Sequence, residues 1–165
     1  MGDTTVEEIK VEKGKKKIDI VFETKDLNVI PVIMEMIRLS KVEGIDLNEI
    51  ELFIRTNIGK RDTKLWVVFD GEKVKGFLLA YVVFPFVAPE VFIAWVYTNP
   101  GNTKASKLLY DAVERWARRI GIKKLSAIVR DNLKAFEKAW GFKLEYYTVS
   151  KEIIPKEDDN NVRII

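Results

Sequence analysis

An apolar run, Val91–Tyr97, is followed by Thr98-Asn99-Pro100-Gly101-Asn102-Thr103-Lys104-Ala105-Ser106 and then by a long amphipathic stretch. A strand-to-helix junction of this kind suits anion binding. The first N–H groups of a helix lack intrahelical partners, and the helix dipole adds positive potential there. Gly101 lets backbone approach a ligand closely, whereas Pro100 donates no N–H. Lys104 can either add charge for an anion or obstruct the backbone. The same residues also read as an ordinary helix start, with Asn99 as cap and Pro100 as the first helical residue.

Other chemistry is narrowed by what the chain lacks. It has no histidine and no cysteine. Disulfides, thiolate zinc sites, a cysteine nucleophile, every Ser-His-Asp triad and most metal sites are therefore excluded. A general base must be a carboxylate, a lysine, a tyrosine, a water or the substrate amine itself. Glutamine is absent while Lys and Glu are abundant, the composition expected of a heat-adapted protein.

The 165 residues, 47% hydrophobic and 32% charged, suit one globular domain with its own core. The net charge of +3 owes much to Lys13-Gly14-Lys15-Lys16-Lys17. With no flanking aromatic or arginine, that run reads as a solvated arm, and nucleic acid is not expected as a partner. The longest apolar run, Val91–Tyr97, is far short of the roughly 18 residues of a membrane span. The acidic, mixed N-terminus does not read as a signal peptide, so a cytoplasmic location and no membrane partner are expected.

Periodicity supplies the elements that would position the junction. Ile18–Glu23 alternates as a strand. A helix follows over about Leu27–Leu39 with Pro31 in its first turn, and a second starts at a capping-box-like Asp46…Glu49. The second carries an apolar stripe of Ile50, Phe53, Ile54 and Ile58 and stops at Gly59. Leu65–Phe69 and Val74–Phe84 read as a hairpin turning at Asp70-Gly71. Val91–Tyr97 is apolar on both faces, as in a central strand. A stripe from Ala105 to Ile120 then predicts a helix ended by Gly121. Leu125–Val129 is a short strand that completes a parallel crossover unit. A short helix to Trp140 and a last strand region, Phe142–Ile154, follow. The fold class expected is α/β (α+β): a mixed, mostly antiparallel central sheet with helices on both faces. It is read as a single domain over Ile18–Ile154, with 1–17 and 155–165 as polar tails. Trp66, Trp95, Trp116 and Trp140 read as core. Phe84, Phe86 and Val87, between Pro85 and Pro89, read as an exposed turn that lines an acceptor pocket or a dimer contact.

This order of elements resembles the GNAT superfamily of N-acetyltransferases, over about Ile18–Ile154. The most specific pieces are Val96-Tyr97-Thr98-Asn99-Pro100, Ser106-Lys107-Leu108-Leu109, Gly121-Ile122-Lys123-Lys124-Leu125, Asp131-Asn132 and Trp140-Gly141-Phe142-Lys143. The loop departs from the family pattern. Pro100 stands for the leading Arg or Gln and Thr103 for the middle glycine, and only Ala105 fits.

The resemblance implies transfer of an acetyl group from acetyl-CoA, as co-substrate, to a primary amine in a ternary complex, with no metal. It implies cofactor contacts at Trp95, Val96, Tyr97, Gly101, Asn102, Thr103, Lys104, Ala105, Ser106, Asn132 and Phe136. The N–H of Val96 or Tyr97 would face the thioester oxygen. Glu90 is the first candidate base, ahead of Glu49 and Glu51. The position where the family commonly has a tyrosine acid is Glu137, so Tyr146, Tyr110 and Tyr147 are the substitutes, with Tyr146 first. A homodimer is an assembly the resemblance allows. The alternative is a GNAT-fold module without catalysis that binds a protein or nucleic acid, suggested by Pro100, Thr103 and the missing tyrosine.

Overall fold

The structure is a computed structural model that describes residues 19–42, 44–85, 87–129 and 133–144. The chain forms two compact units, Met1–Arg130 and Asp131–Ile165. The first unit holds a five-stranded sheet in the order β1 (Asp19–Glu23), β2 (Thr63–Asp70), β3 (Lys73–Val83), β4 (Glu90–Thr98), β5 (Leu125–Ala127). Strands β1 to β4 form an antiparallel meander, and β5 runs parallel to β4. The mixed, mostly antiparallel sheet matches the expectation.

One face of the sheet is covered by α1 (Ile30–Leu39) and α2 (Leu47–Asn57). In α1, Ile30, Ile33, Met34 and Ile37 recur at helical spacing and are buried against Leu65, Val67, Phe77 and Leu79. Each such side chain contributes about 1.5–3 kcal/mol by burial. Pro31 sits in the first turn, where its missing N–H costs nothing. The expected start at Leu27 resolves into a short 3-10 turn, Leu27–Val29, capped by Asp26, before the α-helix begins. Asp46 caps α2 by accepting from the Asn48 N–H at 2.8 Å and the Glu49 N–H at 3.4 Å. Ile58 has already left the helix at ψ 130°, and Gly59 turns the chain at φ +88°.

The other face is covered by α3 (Thr103–Arg119), which packs against β1 to β4. Its buried stripe is Ala105, Leu109, Ala112, Val113, Trp116 and Ala117. Trp116 meets Trp66 of β2 edge-on at 5.6 Å. The helix ends in a Schellman motif. The Ile122 N–H donates to the Ala117 carbonyl and the Gly121 N–H to the Arg118 carbonyl, with Gly121 at φ +77°. Ile120, placed in the apolar stripe by periodicity, lies beyond the helix and is 42% exposed.

The β2–β3 hairpin turns on Gly71-Glu72, between the paired Asp70 and Lys73. That is one residue later than Asp70-Gly71, because positive φ is needed at the first loop position and Gly71 supplies it at +61°. Strand β5 spans only Leu125–Ala127 rather than Leu125–Val129.

In the second unit, α4 (Leu133–Trp140) ends at Gly141, φ +70°. Phe136 stacks edge-on with Trp140 at 5.0 Å and with Phe142 at 5.9 Å. Residues 145–154 of the expected last strand lie outside the described residues, as do the Lys13–Lys17 run and Phe86. No helix among the described residues is long and apolar enough to cross a membrane.

Candidate active site

The junction singled out by sequence is built by one irregularity in β4. Trp95 pairs with Leu79 and Ile93 with Ala80, so Ala94 is an extra residue in β4, a β-bulge. The bulge reverses side-chain parity. Phe92 lies with Tyr81 on the α1–α2 face, their rings 5.4 Å apart, and Trp95 and Tyr97 pack on that same face despite their odd numbers.

Strand β5 leaves at the same place. Its pairs with β4 are Val91–Leu125, Phe92–Ser126 and Ile93–Ala127. From Ala94 to Thr98 the outer edge of β4 has no strand partner among the described residues. Val91–Tyr97 is consequently only half-buried from Ala94 onward, although the sequence suggested cover on both faces.

Which peptide groups face that open edge follows from alternation. The Asn99 N–H donates to the Lys75 carbonyl on β3 at 2.8 Å, and the Val91 N–H donates to the Lys124 carbonyl next to β5 at 3.0 Å. Counting back by twos from Asn99 turns the Tyr97 and Trp95 N–H groups toward β3. The Val96 N–H is thereby left on the open edge.

At the other side of the junction, Asn102 caps α3, its side-chain oxygen accepting from the Ala105 N–H at 3.1 Å. Asn99 and Pro100 are not the cap and first helical residue. They belong to a preceding turn, closed by the Asn102 N–H on the Asn99 carbonyl at 3.1 Å, with Gly101 at φ +78°. The Ser106 N–H donates to the Asn102 carbonyl. Of the backbone donors between Asn99 and Ser106, those of Asn99, Asn102, Ala105 and Ser106 are therefore engaged within the chain. This is a shorter outward row than the sequence suggested. The N–H groups of Gly101 and Thr103 have no partner among the described residues. Space beside Gly101 is open, since nothing lies within 4 Å of where its Cβ would be. Thr103 and Lys104 are exposed, and Ala105 is buried.

Glu90 opens β4, 8% exposed, and its carboxylate pairs with Lys124 at 2.9 Å. It stands four residues before Ala94, about 13 Å along the strand. Glu51 is paired with Arg55 on the exposed side of α2. Tyr110 is half-buried on α3, and burial, reinforced by the Glu114 and Asp111 charges against Arg118, raises its pKa. Phe136 belongs to the second unit's aromatic cluster. Tyr146, Tyr147 and Asn132 lie outside the described residues. Among the described residues no cluster of acidic side chains could hold a metal.

Two residues that build the site went unnoticed in the sequence: Ala94, which makes the bulge, and Gly76, opposite Thr98 on β3. An isolated glycine inside a strand pattern was the available signal for close backbone approach. Ala94 gave none.

The acetyltransferase (GNAT) family model matches residues 32–142. No protein in the curated set matches the sequence. Among solved structures, an aminoglycoside N-acetyltransferase AAC(6')-Iy in complex with CoA superimposes with a TM-score of 0.70 at 14% identity, covering 87% of this chain and 98% of that one. An aminoglycoside 6'-N-acetyltransferase AAC(6')-Ih from Acinetobacter baumannii gives 0.68 at 15% identity, covering 83% and 99%. A predicted acetyltransferase with acetyl-CoA from Clostridium acetobutylicum gives 0.67 at 16% identity, covering 82% and 96%.

Proposed function

The chain belongs to the GNAT acetyltransferase family, and from that premise we propose that it transfers an acyl group from acyl-CoA to a primary amine within a ternary complex. The observation that carries this reading is the release of β4 from β5 after Ile93, immediately before the N-terminus of α3. An extended thioester arm needs such a gap, and its diphosphate needs nearby N–H donors. The fit is supported at Gly101, where donor and open space coincide, and at Thr103.

Bound acyl-CoA would supply the activated acyl carbon as a thioester. The Val96 N–H, on the open edge, is placed to hold the thioester oxygen as charge develops on it, a contribution of roughly 3 kcal/mol where such donors have been removed. The amine nitrogen bonds to the acyl carbon, the C–S bond breaks, and the amine proton leaves toward Glu90. Glu90 stands six residues before Val96, about 20 Å along the strand, so it receives that proton only through a chain of waters. The thiolate takes a proton from solvent; with a thiol pKa near 8.5 it leaves without a dedicated acid. The aminoglycosides named in the structural neighbours suggest a polyamine sugar as one acceptor class for this chain.

Calorimetric titration with acetyl-CoA, followed by thiol-release assays over aminoglycosides, polyamines, peptides and arylalkylamines, tests the reading. Binding with amine-dependent thiol release supports it. The inward cap of Asn102 and the N–H missing at Pro100 favour a second reading, a GNAT-fold module without catalysis. Absence of any acetyl-CoA heat would select that one.

A further inference from the structure

A cavity of about 520 Å³ opens between β1, β2 and the C-terminal half of α3. Helix periodicity builds one wall: Ala112, Arg115, Trp116 and Arg119 stand at i, i+3, i+4 and i+7, a single face of α3. Val21 and Glu23 of β1, with Lys64 and Trp66 of β2, alternate onto the sheet face opposite. Trp66 and Trp116 are 5% and 3% exposed, so the floor is apolar and the charges stand at the mouth.

Those charges do not balance. Glu23 pairs with Lys64 at 2.5 Å, and Arg118 pairs with Glu114 at 2.7 Å. Lys25, Arg115 and Arg119 also line the cavity, and none of them has an ion-pair partner among the described residues. Glu23 is the one carboxylate in the lining, and Lys64 engages it. Arg115 and Arg119, four residues apart on one helix face, repel each other. An anion between them removes that repulsion, and guanidinium groups suit phosphate oxygens in two-point contact. Three cations approaching one mouth from a strand end and a helix match a ligand with several tetrahedral anionic groups better than one with a single planar carboxylate. The cavity is separate from the acyl end of the fold. Thr103 and Arg115 are twelve residues apart on α3, about 18 Å along its axis.

We propose that this cavity is a binding site for a compact polyanion of the oligophosphate class, held by Lys25, Arg115 and Arg119. The proposal stands independently of acyl transfer. The test is calorimetric titration of the full chain with sodium tripolyphosphate at roughly 150 mM salt, where diffuse surface attraction is largely screened. Saturable binding of one equivalent is expected. It should weaken at least about tenfold in the Arg115→Ala/Arg119→Ala double variant, which removes two charge-assisted contacts. It should persist in Asn102→Asp, which alters only the other end of α3, and in a Lys73→Ala/Lys123→Ala control with the same loss of charge. Circular dichroism checks that each variant is folded. Lys25→Ala, on a different element, should weaken binding as well. The proposal is overturned if the wild-type chain takes up no tripolyphosphate, if the lysine control weakens binding as much as the arginine pair, if Asn102→Asp abolishes it while the arginine variant does not, or if citrate binds and tripolyphosphate does not.

Discussion

Gly76 packs directly against the Tyr97 carbonyl: a Cβ on Gly76 would stand 2.6 Å from that oxygen and 2.8 Å from the Thr98 Cγ2. The contact lies under the last residues of β4, where the strand has already lost β5 and β3 is its one strand partner among the described residues. The neighbouring Lys75 carbonyl accepts from the Asn99 N–H, so β3 also fixes the start of the turn into α3.

Gly76→Ala should therefore strain both the sheet and the site. The backbone oxygen cannot swing aside like a side-chain tip, so an overpacking cost of about 1–3 kcal/mol is expected in denaturant unfolding. Acetyl-CoA affinity should fall along with stability, because Tyr97 and Thr98 must shift. An unaltered unfolding midpoint would contradict the contact.

Asn102→Asp separates capping from ligand binding. Aspartate caps about as well as asparagine and suits the helix dipole, so the melting temperature should hold. A carboxylate beside an incoming diphosphate is repulsive, so the dissociation constant for acetyl-CoA should rise about tenfold, equivalent to about 1.4 kcal/mol. Unchanged affinity would place the diphosphate elsewhere.

Glu90→Gln tests the proton route. The rate of acyl transfer should fall about tenfold, less than for a base in contact with the amine because the proton travels through several waters, with acetyl-CoA affinity unaffected. Lys124→Met, which removes the ion-pair partner of Glu90, controls for the loss of that pair. Equal rates in Glu90→Gln and wild type would move the base to another group or to the amine itself.

Stability should respond to alkaline pH through Tyr81, whose pKa burial raises above its ordinary 10.0. With the folded value above the unfolded one, its contribution is complete below pH ~10 and is lost as pH rises through the folded value. Unfolding midpoints should accordingly hold from pH 7 to ~9.5 and drop above it. Tyr81→Phe should lessen that drop, and identical alkaline profiles would show that other groups cause it.

Much of this fold was legible because its signals are periodic or local. The α3 stripe, Pro31 in a first turn, the Asp46 cap, and the helix stops at Gly59, Gly121 and Gly141 each depend on residues close in sequence. The site was less legible because it depends on register between strands. Nothing local to Ala94 announces a bulge, which exists only in the pairing of β4 with β3. The cap moved from Asn99 to Asn102 for a related reason: Asn99 is held by Lys75 of a neighbouring strand, so the helix begins only after the turn that follows. The charged cavity escaped notice because Lys25, Lys64 and Arg115 come together only when β1 and β2 pack on α3.

The extra residue at Ala94 also restricts how this chain can vary in length. Losing Ala94 itself would leave Ile93 opposite Ala80 and Trp95 opposite Leu79 in a regular ladder, whereas losing one residue after it, such as Val96, would exchange inside for outside from there on and turn Tyr97 into the layer occupied by Ala105 and Leu109. Losing two residues after the bulge would preserve facing but draw the turn into α3 toward the sheet by about 7 Å. Apart from Ala94, single-residue insertions and deletions are thus disfavoured within β4, so the strand acts as a fixed ruler between the carboxylate at its start and the turn at its end.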